Sequence, residues 1–168
     1  MKHLLKIALI FILILAQLSC ERDEICLEDI TPKLIVRFYN ANNPNELKSV
    51  LGLTVNIEGI DGEYSNETIT SLTDSIAIPL KVAEAKTRFV LTIPVETDEG
   101  TEDNIDTIEL TYSQQDIFVS RSCGYKTVFN DAQISLINDD NNWIQDVESK
   151  SVPLEIIDEN LAHVKIYH

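Results

Sequence analysis

Histidine is scarce: His3, His163 and His168 are the three among 168 residues. A Ser/His/Asp or Cys/His relay would rest on His163 alone, whose sequence neighbours are apolar or basic, so a solvent-facing position in the final strand is expected for it. No pair of histidines stands at metal-ligand spacing. Basic residues are also few, 13 Lys plus Arg against 28 Asp plus Glu, for a net charge of −15. That field repels nucleic acid and anionic membrane surfaces from the body of the domain. Aromatic residues make up 7% of the chain, and no sugar-stacking platform is evident among them. The one tryptophan, Trp143 beside an Asn/Asp turn, is expected to cap the core. Five glycines supply no phosphate-cradling loop. No stretch beyond Ala16 carries a sustained helical period.

What is present begins at the N-terminus. Lys2, His3 and Lys6 form a basic start, Ile7 to Ala16 is an unbroken apolar run, and Gln17-Leu18-Ser19-Cys20 closes it with a small residue before a cysteine. The run is about half of the ~20 residues that a helix needs to cross hydrocarbon. The arrangement resembles the lipobox of bacterial lipoproteins, in which the peptide is cut before the cysteine and the new N-terminus carries acyl chains such as palmitate. Gln17 stands where that family usually has Leu. The expected organisation is a signal peptide over residues 1–19, a lipidated N-terminus and short tether over 20–30 with Cys20 as the acylated residue, and a single all-β domain over 31–168. Removing residues 1–19 takes away Lys2 and Lys6 and no acid, so the net charge moves from −15 to −17.

Two cysteines remain, and a secreted chain with one leftover pair most simply joins them, so Cys26 and Cys123 are expected to form a disulfide. On the chain-entropy model a loop of that length contributes about 4–5 kcal/mol. Glu21 to Ile25 alone separate the lipid cysteine from the bridge, a tether that reaches roughly 20 Å when fully extended. The domain is then held close to the bilayer. A reactive thiol or metal pair would want a base or further ligands nearby, and neither flank offers one.

From Lys33 onward, short apolar alternations recur between polar turns. Leu34, Val36 and Phe38 share one strand face, as do Leu53, Val55 and Ile57; Ile76, Ile78 and Leu80; Phe89, Leu91, Ile93 and Val95; and Ile108, Leu110 and Tyr112. Ile117 and Val119 lead to Cys123, Tyr125, Thr127 and Phe129 leave it, and Ile134 and Leu136 follow. Val152, Leu154 and Ile156, then Val164 and Ile166, mark the last strands. Pro79 lacks a donor and predicts an edge or a bulge. Asp98 to Asn104 and Asn138 to Asn142 read as turns. Roughly eight to ten strands at this spacing predict an all-β, antiparallel two-sheet sandwich, with a closed barrel as the alternative.

The motifs that could carry chemistry are weak. Asp98 to Asp106 supplies acids, but Asp103 occupies the sixth position, where a calcium loop requires glycine, so a solvated hairpin turn is expected there and no metal site is assigned. Carboxylates are so plentiful that no glycosidase pair stands out. Asp74-Ser75-Ile76 and Asp106-Thr107-Ile108 match the Asp-Ser/Thr-apolar motif on which secreted proteins of Bacteroidota are O-glycosylated, making Ser75 and Thr107 candidate acceptors. Asn66-Glu67-Thr68 fits a eukaryotic N-glycan rule that a lipobox makes idle.

The lipobox, Cys26 followed by Thr31-Pro32 and the strand Leu34 to Tyr39, then Asp74 to Leu80, Asp106 to Ile108, Tyr112 and Ser122-Cys123-Gly124-Tyr125, together resemble a family of small uncharacterised lipoproteins of Bacteroidota. The resemblance covers most of the mature chain and implies a shared all-β domain with no assigned activity. Glu21, Asp23 and Glu24 also resemble an acidic surface-export signal, interrupted by Arg22. The expectation is a monomeric envelope lipoprotein, lipid-anchored in the outer membrane on its periplasmic side. It would be non-catalytic, without a cofactor, and would bind a protein or glycan partner or play a structural role. The alternative is a carboxylate-based hydrolase acting on polysaccharide.

Overall fold

The computed structural model describes residues 25–26, 31–59, 67–69, 72–97 and 100–168. The signal segment, Cys20 and Asn66 lie outside the described residues. Eleven strands are described: β1 (Leu34–Asn40), β2 (Asn43–Leu47), β3 (Leu53–Ile57), β4 (Glu67–Ile69), β5 (Ser75–Ile78), β6 (Lys86–Thr97), β7 (Gly100–Ser120), β8 (Gly124–Ile137), β9 (Asp146–Ser149), β10 (Leu154–Ile156) and β11 (Val164–Tyr167). They form two open sheets and no closed barrel. One sheet runs β2-β1-β11-β9 with β5 also on β1, and the other runs β10-β8-β7-β6-β3-β4.

The alternation in the sequence decides which faces meet. Leu34, Val36 and Phe38 of β1, Ile76 and Ile78 of β5 and Val164 and Ile166 of β11 are buried in one core with Leu53, Val55 and Ile57 of β3, Phe89 and Leu91 of β6, and Ile108, Leu110 and Tyr112 of β7. Phe129, Leu154 and Ile156 complete it from β8 and β10. Fully burying a side chain of this size stabilises by about 1.5–3 kcal/mol, so this contiguous core dominates the folding energy. Pro79 follows the last residue of β5, an edge strand paired to β1 alone, which suits a residue without an amide donor.

Four sequence expectations need correction. The sandwich is not wholly antiparallel, because β1 and β11 pair in parallel, Val36 opposite Val164 and Phe38 opposite Ile166. Alternation defines a strand's faces and leaves its neighbours open. Val152 belongs to no strand and is 94% exposed, just before a cis Val152–Pro153 bond. Residues Thr101 to Asn104 are ladder residues of β7, with Asp103 opposite Pro94, and lie outside any turn. His163 is buried, its Nδ1 accepting the Ile35 amide at 2.9 Å while its own amide donates to the Ile35 carbonyl at 2.8 Å. Burial pushes its pKa down, so the neutral ring acts as a fastener at the entry to β11.

β7 and β8 are longer than their neighbours. β6 covers β7 as far as Thr111, and β10 covers β8 as far as Phe129. From Gln115 and Val128 outward the two strands pair only with each other, to Ser120 opposite Gly124. Gly124 has a φ of 71° after the turn Arg121-Ser122-Cys123, a left-handed conformation that disfavours other residues.

Candidate functional site

The outward residues of the first sheet build a cleft of about 330 Å³. Ile35, Arg37 and Tyr39 alternate with the core residues of β1, so all three face away from the core. The parallel register sets Lys165 of β11 directly opposite Arg37, and Ser75 of β5 is opposite Arg37 on the other side. Lys150, just past β9, and the segment Glu159 to Ala162 complete the lining. That segment is held in place by the Lys33 amide, which donates to Glu159 Oε1 at 2.9 Å.

Two like charges directly opposite each other on neighbouring strands are unfavourable. Here one of the two is neutralised. Lys165 Nζ lies 3.0 Å from Glu148 Oε2, which also accepts from the Tyr167 hydroxyl at 2.7 Å, and those two donors hold the Glu148 carboxyl below its usual range. The guanidinium of Arg37 and the ammonium of Lys150 have no ion-pair or hydrogen-bond partner among the described residues, and the lining supplies one carboxylate, Glu159, against three cations. Tyr39 lies under Lys165 at 5.9 Å from its ring centroid and beside Tyr167 at 5.8 Å, giving the cleft an aromatic flank.

A second concavity shows the contrast. Lys81, Lys86 and Arg88 line it with Glu58 and Glu84. Each cation there is occupied, Arg88 by Glu109 at 2.6 Å and Glu58 at 3.4 Å, Lys86 by Glu109 at 3.2 Å and Lys81 by Glu84 at 3.1 Å. Its two lining acids are therefore tied to cations rather than poised as an acid and a base. Asp106, a carboxyl group that burial pushes up, has no solvent-accessible surface. A glycosidase acid needs contact with a leaving group, so Asp106 cannot serve as one.

The remaining candidates are dispersed. Ser75 is half-buried on the cleft wall, whereas Thr107 sits mid-strand between Val90 and Ile137 with its motif partner Asp106 enclosed. Asp98 and Glu99 lie outside the described residues. No three His, Cys, Asp or Glu side chains among the described residues are placed to share a metal. Trp143 packs against the core as expected, 6.4 Å from Phe38, its indole N–H donating to the Leu91 carbonyl at 3.3 Å. Cys26 and Cys123 are joined, their Cα atoms 4.9 Å apart. The cleft residues Arg37, Lys150 and Lys165 carry no motif, and the signal that could have found them is the placing of Arg37 and Lys165 between apolar core residues.

The structure thus defines a two-sheet β-domain fastened by one disulfide, with a cationic cleft on the outer face of one sheet. The chain belongs to the family of unknown function DUF6452, whose family model matches residues 52–168. Lys150, Lys165 and Cys123 fall within that span; Arg37 and Cys26 precede it. Comparison with curated proteins and with solved structures returned no match.

Proposed function

We propose that this protein is a lipid-anchored envelope domain that works by binding rather than catalysis, and that the cleft around Arg37 receives an anionic group of an envelope partner, a protein or glycan carboxylate or phosphate. The observation that carries this reading is the unpaired Arg37 guanidinium opposite Lys165 in a chain where acids outnumber bases by 28 to 13. Carboxylates to neutralise it are abundant, and no described one pairs with its guanidinium, Glu159 of the lining included. A planar guanidinium fork beside two ammonium groups suits a bidentate oxyanion. The lipobox-like Ser19-Cys20 supports anchoring, and the periplasmic side of the outer membrane is the proposed location.

Two measurements test it. Cys20→Ser should abolish labelling by a fatty-acid probe, and label retained in that variant would place the anchor elsewhere. A photo-crosslinking residue in place of Leu161, which is 64% exposed on the cleft lip, should capture an envelope component in intact cells. Arg37→Glu with Lys150→Glu should remove that adduct. An adduct of undiminished yield in the charge-reversed variant would refute the cleft.

A further inference from the structure

We infer that the tip of the β7–β8 hairpin is a membrane-contact surface, with Phe118 and Tyr125 seated in the headgroup region of the bilayer that holds the acylated Cys20; this rests on the lipid-anchor reading above. Phe38, Phe89 and Phe129 are wholly buried, yet Phe118 is 59% and Tyr125 65% exposed. The two are opposed in the ladder and their rings meet edge to face at 5.5 Å, so they present one apolar knob with a polar hydroxyl. Ring pairs of this kind suit a boundary that is wet on one side and apolar on the other.

The chain itself says where this knob sits. Cys123 in the turn is bonded to Cys26, and from Cys26 back to Cys20 an extended chain spans roughly 20 Å, less than the thickness of one bilayer. Whatever depth Cys20 itself takes at the membrane surface, the hairpin turn is held within about that distance of it. Among the described residues no other disulfide ties an end of either sheet to the N-terminal segment.

Charge points the same way. From Asp116 to Thr127 the ionised residues are Asp116, Arg121 and Lys126. Asp116 accepts the Thr127 hydroxyl at 2.7 Å and Lys126 Nζ donates to the Ile157 carbonyl at 3.2 Å, so one acid stands against two bases and exposed Arg121, in the turn itself, is the charge nearest the end of the hairpin. A headgroup phosphate attracts that tip and repels the acidic body, so a short tether and the overall field together orient the domain tip first.

The test uses the full-length acylated protein in vesicles of phosphatidylethanolamine and phosphatidylglycerol, with and without bromine on the acyl chains. Phe118→Trp should lose at least half of its added fluorescence in brominated vesicles, while the native Trp143 signal stays constant. Val152→Trp, on the stretch leading into β10 where Leu154 pairs with Ala132 far down β8 from the turn, should not be quenched. Acylation is read independently from the intact mass. A protein that lacks the acyl mass refutes the anchor and with it this orientation. An acylated, vesicle-bound protein whose Phe118→Trp is unquenched, or no more quenched than Val152→Trp, refutes the tip contact and leaves the anchor standing. A tip that instead crosslinks to a protein while remaining unquenched would reassign the knob to a protein partner.

Discussion

Asp106 Oδ2 accepts the Ile144 amide at 2.6 Å, and its Oδ1 accepts from the Asn142 side chain at 3.0 Å, so one enclosed carboxylate in β7 fixes the whole turn that carries Trp143. Two accepted hydrogen bonds hold the charge in place against a desolvation that raises its pKa. The residue that sequence reading placed in a glycosylation motif is a structural clamp. It also ties the middle of the second sheet to the connection leading into β9, so the edge of the first sheet depends on it.

Removing that clamp should be costly. Asp106→Ala leaves the Ile144 amide buried without an acceptor, and an unsatisfied buried donor together with a lost charge-assisted bond predicts a loss of about 2–3 kcal/mol. Asp106→Asn keeps one acceptor and should lose less. Trp143 emission reports the local effect and chemical denaturation the global one. An Asp106→Ala protein with unshifted emission and wild-type stability would show that the turn is held by other contacts.

Stability should fall as the pH drops below 6.5, the ordinary histidine value. Burial lowers the pKa of both His163 and His168, so between the lowered value and 6.5 the unfolded chain binds more protons than the native one. The contribution is complete above 6.5 and declines through that window. Asp106 acts oppositely, since a raised carboxyl pKa makes the native state the better proton binder and favours it as pH falls through that raised range. The informative comparison is therefore His163→Asn against wild type with Asp106 intact in both. Asn retains an acceptor for the Ile35 amide and cannot take up the proton, so its melting temperature should fall less from pH 7.5 to 5.5. Parallel curves would assign the acid limb to other groups.

Gly52 stands at φ 70°, and a Cβ built on it would lie 2.8 Å from Pro94 Cγ. Backbone strain in the left-handed region costs about 1–2 kcal/mol for a residue with a Cβ, and the rigid pyrrolidine ring cannot turn aside. Gly52→Ala should thus lower stability by more than about 1 kcal/mol, whereas Gly52→Ala with Pro94→Ala should recover the part due to the clash. Thermal melts of the three proteins separate the two contributions.

Most of the fold is legible in the residues, and what is not has a common cause. The alternations Leu34/Val36/Phe38, Leu53/Val55/Ile57 and Ile108/Leu110/Tyr112 mark buried faces correctly because a half-buried strand has no other way to segregate its side chains. Ile117, Val119 and Tyr125 alternate in the same way, yet they lie on the part of the hairpin that outruns its neighbours, where Ile117 and Val119 are half-buried and Tyr125 is exposed. Length mismatch between strands leaves no local signature. The cleft was invisible for a related reason: Arg37 and Lys165 become neighbours through a parallel pairing of the first and last described strands, and no local pattern specifies such long-range pairing. The pairing of Cys26 with Cys123 is readable because, once the lipobox resemblance sets Cys20 aside, each of the other two cysteines has one partner left.

The disulfide should matter for stability and for the arm in different measures. It closes a loop of 97 residues, and on the chain-entropy model its removal by Cys123→Ser should lower global stability by about 2–5 kcal/mol. The arm feels a second, local effect. Its outer residues pair only across the hairpin, and a two-stranded ribbon is at best marginally stable in water, so the bond to the N-terminal segment is a principal constraint on the turn. Amide exchange at Phe118, Val119 and Tyr125 should therefore accelerate in Cys123→Ser by more than the global loss requires, while Phe89, Leu91 and Leu110 in the paired centre of the second sheet follow the global change. Uniform acceleration at all of these amides would mean that the bond acts on the unfolded chain alone. Unchanged global stability, with two free thiols by mass in oxidised wild-type protein, would mean that the bond does not form.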